Sequence, residues 1–327
     1  MILSTLHGAG GRQLFGQKFD VLVIDEGSQA LEAQCWIPLL LSTGISKLIL
    51  AGDHLQLPPT VKSTGFKDAK TLQVQQPNEK RFRIPTSLED TFFSRLLTLH
   101  GPKIKRLLNV QYRMHQQIMQ FPSDFLYESK LTAASQVATH LLSDLDHVQE
   151  DEDTSTPVLF LDTQGGDFPE APVDAEQTKS TPSHSNPLEA ALAIQHVRAL
   201  IAAGVKPSEI AVITPYNAQL ALLVAGLRQE YPELEMGSVD GFQGREKEAV
   251  VFSLVRSNEE KEVGFLKEKR RLNVAMTRAR RHLCVIGDSE TLAGRKREGY
   301  LGEWCKWVEE GGEVRYPDVA DVWGENR

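Results

Sequence analysis

Long hydrophobic runs are missing from this chain. No apolar stretch approaches the roughly 18 residues that a membrane-spanning helix needs, so no membrane partner is expected. Met1-Ile2-Leu3-Ser4 does not pair a basic segment with an apolar one, as a secretory signal would. Cysteine is scarce: Cys35, Cys284 and Cys305 are odd in number and far apart. That excludes a paired zinc site or a disulfide framework and fits a reducing compartment with buried thiols. An excess of positive charge is also missing. With 36 Lys and Arg against 44 Asp and Glu, the formal net charge is -8, the wrong sign for a grip on a polyanion that relies mainly on net charge. The charge is uneven, however. Acids cluster at Glu150-Asp151-Glu152-Asp153, and bases at Lys269-Arg270-Arg271 and Arg278-Arg280-Arg281, so local fields decide binding. What is present is a chain of 327 residues, 41% hydrophobic and 24% charged, enough for two globular lobes with real cores. It has no solenoid repeat.

Short apolar runs alternate with helical stretches, the pattern of an α/β protein with parallel sheets. Phe19–Ile24 and Lys47–Ala51 read as buried strands, each ending in acid: Asp25-Glu26 and Gly52-Asp53. Ser28–Leu41 reads as a helix between them. Val61–Arg83 lacks periodicity and reads as a surface insertion. A helix is predicted over Thr86–Leu99, capped by Thr86 or Ser87. A second lobe is expected from Gly101, giving domains 1–100 and 101–327. Further helices are predicted to about Tyr127 and over Asn186–Ala203, Asn217–Gln229, Lys267–Arg278 and Leu301–Glu310. Strands are predicted at Val158–Leu161, Glu209–Thr214, Glu235–Val239, Ala249–Val255 and Arg281–Ile286, with a short helix around Gly244. Gln149–Pro157 and Gln164–Pro187, acidic or rich in Ser, Thr and Pro, are expected to be mobile, making a flexible insertion at about 149–187.

Five motifs carry chemistry. Asp25-Glu26 after a strand supplies two carboxylates for different tasks: one for Mg²⁺, the other for an attacking water. Gly52-Asp53-His54-Leu55-Gln56-Leu57-Pro58-Pro59 follows the next strand. Its Gln56 amide can both donate to and accept from a phosphate and its water, and the prolines fix the exit of the loop. Gln111-Tyr112-Arg113-Met114-His115 opens the second lobe. The Arg113 guanidinium suits charge spread over phosphoryl oxygens, and Tyr112 offers a ring for adenine. Val239–Glu248 (VDGFQGREKE) sets polar residues between two glycines that permit close backbone approach. In Arg271–Arg280 (RLNVAMTRAR), helical spacing gives Arg271 and Arg278 one face and one cleft. Singly, each has an ordinary explanation: a solvated strand end, a proline-stiffened turn, a core tyrosine, a solvated basic face. Five apt motifs in one order, each at a strand end or a neighbouring helix opening, are poorly explained as five coincidences.

That order resembles the helicase core of superfamily 1, in the branch of the up-frameshift RNA-decay helicases. Asp25-Glu26-Gly27-Ser28-Gln29 is similar to its DEAxQ box, with Gly-Ser as the departure, and the other four motifs match its later boxes. The resemblance implies two RecA-like P-loop NTPase lobes with parallel sheets. It implies ATP and Mg²⁺ as cofactors, with Asp25 on the metal and Glu26 activating water. Gln29 and Gln56 would act at the γ-phosphate, beside Asp53. Arg113 and Arg278 would be arginine fingers, Tyr112 would stack on adenine, and Gly244 and Glu246 would bind nucleotide. It implies movement 5′ to 3′ along single-stranded DNA or RNA, contacted by Ser4, Thr5, Thr214, Pro215, Asn217, Ser238 and Val239. Replication or translation machinery would be the partners and the nucleus or cytoplasm the setting.

A motor of this kind needs a Gly-x-x-x-x-Gly-Lys-Ser/Thr loop to cradle phosphates. The sequence contains none, and only 24 residues precede Asp25. The expectation is therefore the C-terminal motor portion of a helicase, with an incomplete first lobe and an unpaired edge on the Phe19–Ile24 strand. The alternative is a truncated, non-hydrolysing module that binds nucleic acid or protein.

Overall fold

The computed structural model describes residues 1–61, 87–172, 183–294 and 299–323. The chain divides into two compact units, Met1–Leu107 and Leu108–Arg327, where the sequence suggested a division at residue 100. Most of the predicted Val61–Arg83 insertion lies outside the described residues.

In the first unit, strands β1 (Val21–Ile24) and β2 (Lys47–Leu50) pair in parallel, Ile24 opposite Leu50. Helix α1 (Glu32–Leu41) lies between them in sequence. Helix α2 (Phe92–His100) is capped by Thr91, whose hydroxyl accepts from the Ser94 amide. This corrects the predicted start at Thr86, and the turn over Gly27–Leu31 corrects the predicted helix start at Ser28. Ile24, Ala30, Cys35 and Phe92 form the core. The Arg95 guanidinium grips the Glu32 carboxylate at 2.5 and 2.8 Å and ties α2 to α1. The strands are not the doubly buried strands predicted. Val21, Val23 and Ile49 leave one face of this pair bare of the described residues, at 48%, 58% and 40% exposed.

The second unit opens with β3 (Val110–Gln111), helix α3 (Gln116–Leu126) and β4 (Thr132–Ala133), which pairs with β3. Its main sheet uses β5 (Val158–Asp162), β6 (Ile210–Ile213), β7 (Glu235–Gly237), β8 (Lys247–Ser253), β9 (Ala279–Gly287) and β10 (Glu313–Arg315). All are parallel, in the order β10-β5-β9-β8-β6-β7. Runs such as VLFLD and IAVI are buried throughout, as expected where helices cover both faces. Helices α4 (Pro187–Ala202) and α5 (Asn217–Leu227) pack on one face through Leu200, Leu223 and Val212. On the other face lie α6 (Lys269–Met276), the short α7 (Ser289–Leu292) and α8 (Tyr300–Gly311), with Trp304 edge-on to Phe160 at 4.9 Å. A last short helix, α9, covers Val319–Trp323. All three cysteines are buried and free.

The predicted mobility of Gln149–Pro157 is overturned. Thr154 is 1% exposed and its hydroxyl donates to the Gln149 carbonyl, while Asp151 brackets its amide. Asp153 meets Arg315 at 2.6 Å. Asp153 is thus tied into the fold, while Glu150, Asp151 and Glu152 are exposed. Of the 164–187 stretch, residues 173–182 lie outside the described residues; Phe168 and Asn186 within it are buried.

Candidate functional site

At the carboxyl ends of β1 and β2 two acidic turns lie side by side. The Gly27 amide donates to the Ala51 carbonyl at 2.8 Å, and the Asp53 amide donates to the Ser28 hydroxyl at 3.0 Å. Gly52 (φ +152°) allows this approach, since a β-carbon there would stand 2.9 Å from the Ser28 oxygen. Ser28 was not singled out from the sequence, although it joins the first two motifs. Glu26 adopts φ +51°, a left-handed conformation that costs a non-glycine residue about 1 kcal/mol. Its carboxylate accepts from the Gln29 amide nitrogen at 2.5 Å. Asp53 accepts from the Leu55 amide and from Gln56 Nε2 within its own turn. Asp25 is exposed, and one of its oxygens accepts from the Glu26 amide at 3.0 Å; its other oxygen is open to a ligand. One such carboxylate oxygen on an exposed turn fits Mg²⁺, which keeps several waters and takes one or two protein carboxylates. The two glutamines thus orient carboxylates of their own motifs. Ser4 and Thr5, also in this unit, are exposed, and Thr5 Oγ1 accepts from the Gly8 amide.

In the second unit Gln111 folds the turn that follows it. Its side-chain oxygen accepts from the amides of Arg113 and Met114 at 2.8 and 2.7 Å, and its nitrogen donates to the Met114 carbonyl. Tyr112 is left 70% exposed. Arg113 Nε donates to Glu246 Oε2 at 2.5 Å and Nη1 to the Thr277 carbonyl at 3.2 Å. The structure thus unites the third, fourth and fifth motifs. Gly244 takes φ +77° just before Glu246, and the helical turn predicted around it is instead a 3₁₀ turn over Val239–Phe242.

The shared face predicted for Arg271 and Arg278 is corrected. Helix α6 ends at Met276, so Arg278 lies beyond it and turns inward. It is 2% exposed and donates to the carbonyls of Val274 and Arg245 and to the Thr277 hydroxyl. Arg271 lies in the first turn of α6, where its guanidinium is 3.6 Å from Asp240.

Because the sheet is parallel, its two edges are chemically distinct. Gly244 and Glu246 precede β8 and Arg278 precedes β9, so these residues gather at amino ends. Thr214 follows β6 and Ser238 follows β7, at carboxyl ends. There a cavity of about 250 Å³ brings together Pro215, Asn217, Ser238 and Val239. Thr214 is the exception among these strand-contact residues: it is fully buried and does not line the cavity. Phe265 and Arg271 do line it; the sequence reading missed both as contacts, because neither falls in the short boxes at the ends of β6 and β7.

Two family models, each described as an AAA domain, match residues 1–64 and 88–290. The chain is 48% identical over 320 residues to DNA polymerase alpha-associated DNA helicase A of Schizosaccharomyces pombe, covering 98% of this chain and 44% of that protein. It is 48% identical over 332 residues to DNA-binding protein SMUBP-2 of Rattus norvegicus, covering 100% of this chain and 31% of that one. With the Regulator of nonsense transcripts 1 homolog of Neurospora crassa it shares 37% identity, over 89% of this chain and 24% of the relative. It therefore spans less than half the length of each of these relatives.

Proposed function

Because this chain belongs to the superfamily 1 helicases and carries their AAA domains, we propose that it is a motor portion of an ATP-dependent helicase. That enzyme moves 5′ to 3′ on single-stranded DNA or RNA. The division within the second unit supports this most. Arg113, Gly244, Glu246 and Arg278 gather at the amino ends of β8 and β9, while Pro215, Asn217 and Ser238 gather at the carboxyl ends of β6 and β7.

Mg²⁺ with ATP supplies the phosphoryl group and partial neutralisation of its charge. Asp25, exposed at the end of β1, would hold Mg²⁺. Glu26 takes the proton of the attacking water, and Gln29 keeps that carboxylate in place. Gln56, with Asp53, senses the γ-phosphate. Arg113 offers a guanidinium to charge developing on phosphate, Tyr112 a ring to adenine, and Glu246 an acceptor to ribose. The phosphate-cradling loop is not among the motifs of these 327 residues. The test therefore uses the protein extended to include a GxxxxGK[ST] loop. Strand-stimulated ATP hydrolysis should appear there and fall by about 10³-fold in Glu26→Gln, with strand binding retained. Strand binding without stimulated hydrolysis in the parent protein would leave a non-hydrolysing binding module as the function.

A further inference from the structure

Besides the predicted strand contacts, the cavity at the carboxyl ends of β6 and β7 is lined by Ser183, Tyr216, Asp240, Phe265 and Arg271, of which the last three offer charge or an exposed ring. The Phe265 ring is 47% exposed, although Leu266 beside it is 3% exposed and anchors the turn. Its position is built from beneath. Tyr216, 3% exposed, lies 6.2 Å from it and is itself met edge-on by His184 at 5.3 Å. Arg256 lies under the same turn, clamped by Glu170 at 2.7 and 3.3 Å. Gly264 (φ +54°) lets the turn sit down on it, since a β-carbon there would stand 2.6 Å from the Arg256 guanidinium. An exposed aromatic ring held this firmly is pre-organised for stacking and loses little freedom when a flat partner arrives.

Arg271 stands across the cavity, 28% exposed, and Asp240 opposite it is 53% exposed. At 3.6 Å and in solvent, that ion pair is weak. A strand phosphodiester carries the same unit charge as the carboxylate, and its two non-bridging oxygens match the guanidinium fork, so it competes well with a lone carboxylate held only at 3.6 Å.

We propose that this cavity receives one nucleotide of a single strand, its base stacked on Phe265 and its phosphate on Arg271. Asp240 is the internal competitor that the phosphate displaces. This rests on the strand-binding reading of the same edge and adds the residues that grip. Stacking on one ring is tolerant of base identity, because every base has a π-face.

The test is fluorescence anisotropy of a labelled oligothymidylate titrated with the full chain at several salt concentrations. Phe265→Ala should weaken binding about tenfold. Phe265→Trp should retain it, with indole emission quenched on binding. Arg271→Ala should weaken binding and lower the salt slope by about one. Asp240→Asn should tighten it, which a merely structural acid would not do. Circular dichroism on each variant confirms that the exposed positions were changed without unfolding. If the wild-type chain does not bind, the strand reading falls and this site with it. If the wild type binds but Phe265→Ala and Asp240→Asn bind equally well, this site is wrong and the strand reading stands.

Discussion

Arg113 and Arg278 belong to the same predicted series, yet their surroundings differ. Arg113 is about one-third exposed and shares its charge with a single acid, Glu246. In the proposed role, an incoming phosphate would replace that acid with little rearrangement. Arg278 is buried at 2% exposed and holds the carbonyls of Val274 and Arg245. Removing it takes the charged donor away from the carbonyl of buried Val274, at about 1–3 kcal/mol. Arg278→Ala should therefore lower the melting temperature of the chain by several degrees, whereas Arg113→Ala should shift it by under about 2 °C. Equal melting of the two variants by calorimetry would remove the structural role given to Arg278. Spacing along the sequence made both arginines visible. It did not separate them, because that depended on where α6 stops.

Helix α4 carries two buried titratable groups with opposite consequences for pH. Burial pushes Glu189 up to about 7, against hydrogen bonds from the Val255 amide and the Ser253 hydroxyl. Burial and the neighbouring His282 ring push His196 down to about 3, its Nε2 lying 3.0 Å from His282 Nε2. A raised carboxyl makes the folded chain bind the extra proton, so its contribution declines as pH rises from about 4.5 to about 7. A depressed imidazole makes the unfolded chain bind it, so its contribution is lost as pH falls from about 6.5 towards 3. Between about 4.5 and 6.5 the two oppose each other. Glu189→Gln should therefore steepen the acid loss of stability in that window, as read from urea midpoints at several pH values. An unchanged slope would mean that Glu189 is ionised in the fold. Most such elements were legible in the sequence. The Val- and Ile-rich runs of β5, β6, β8 and β9 announce a doubly covered sheet, and Gly204 ends the α4 region as predicted. What escaped depended on distant partners. β10 is three residues long and exists because β5 offers an edge. Asp153 looks solvated until Arg315 and His196 are brought beside it. Phe265 as a contact needed the turn over Arg256.

At the scale of the whole molecule the two units have cores of very different size. Among the described residues, the first has a small core cluster of Ile24, Ala30, Cys35 and Phe92 and a two-stranded sheet with one bare apolar face; the second has a six-stranded sheet covered on both sides. Two-stranded sheets are marginal by themselves, so heating should unfold the first unit before the second. Trp36 is the one tryptophan of the first unit, the others being Trp304, Trp307 and Trp323. An early fluorescence transition should thus disappear in Trp36→Phe while a later one persists. A single transition insensitive to that change would show the units to be thermally coupled. The electrostatics of the second unit are also divided along one edge. A second cavity, of about 600 Å³, lies at the carboxyl ends of β5, β8 and β9, where Asp167, Glu259, Asp288 and Glu290 outnumber Lys261. A strand of phosphates would be repelled there, which fits the path proposed at the Phe265 end of the sheet.

The buried cysteines give the chain a chemically silent background. Cys35, Cys284 and Cys305 are each 5% exposed or less, and burial raises the pKa of all three thiols, that of Cys305 to about 12. Little thiolate is present at neutral pH to meet a maleimide. A cysteine introduced at exposed Glu233 and another at exposed Lys18 would then be the reactive pair with the native cysteines left in place. Dyes on those two positions turn the separation of the units into a spectroscopic ruler, readable while strand or nucleotide is added.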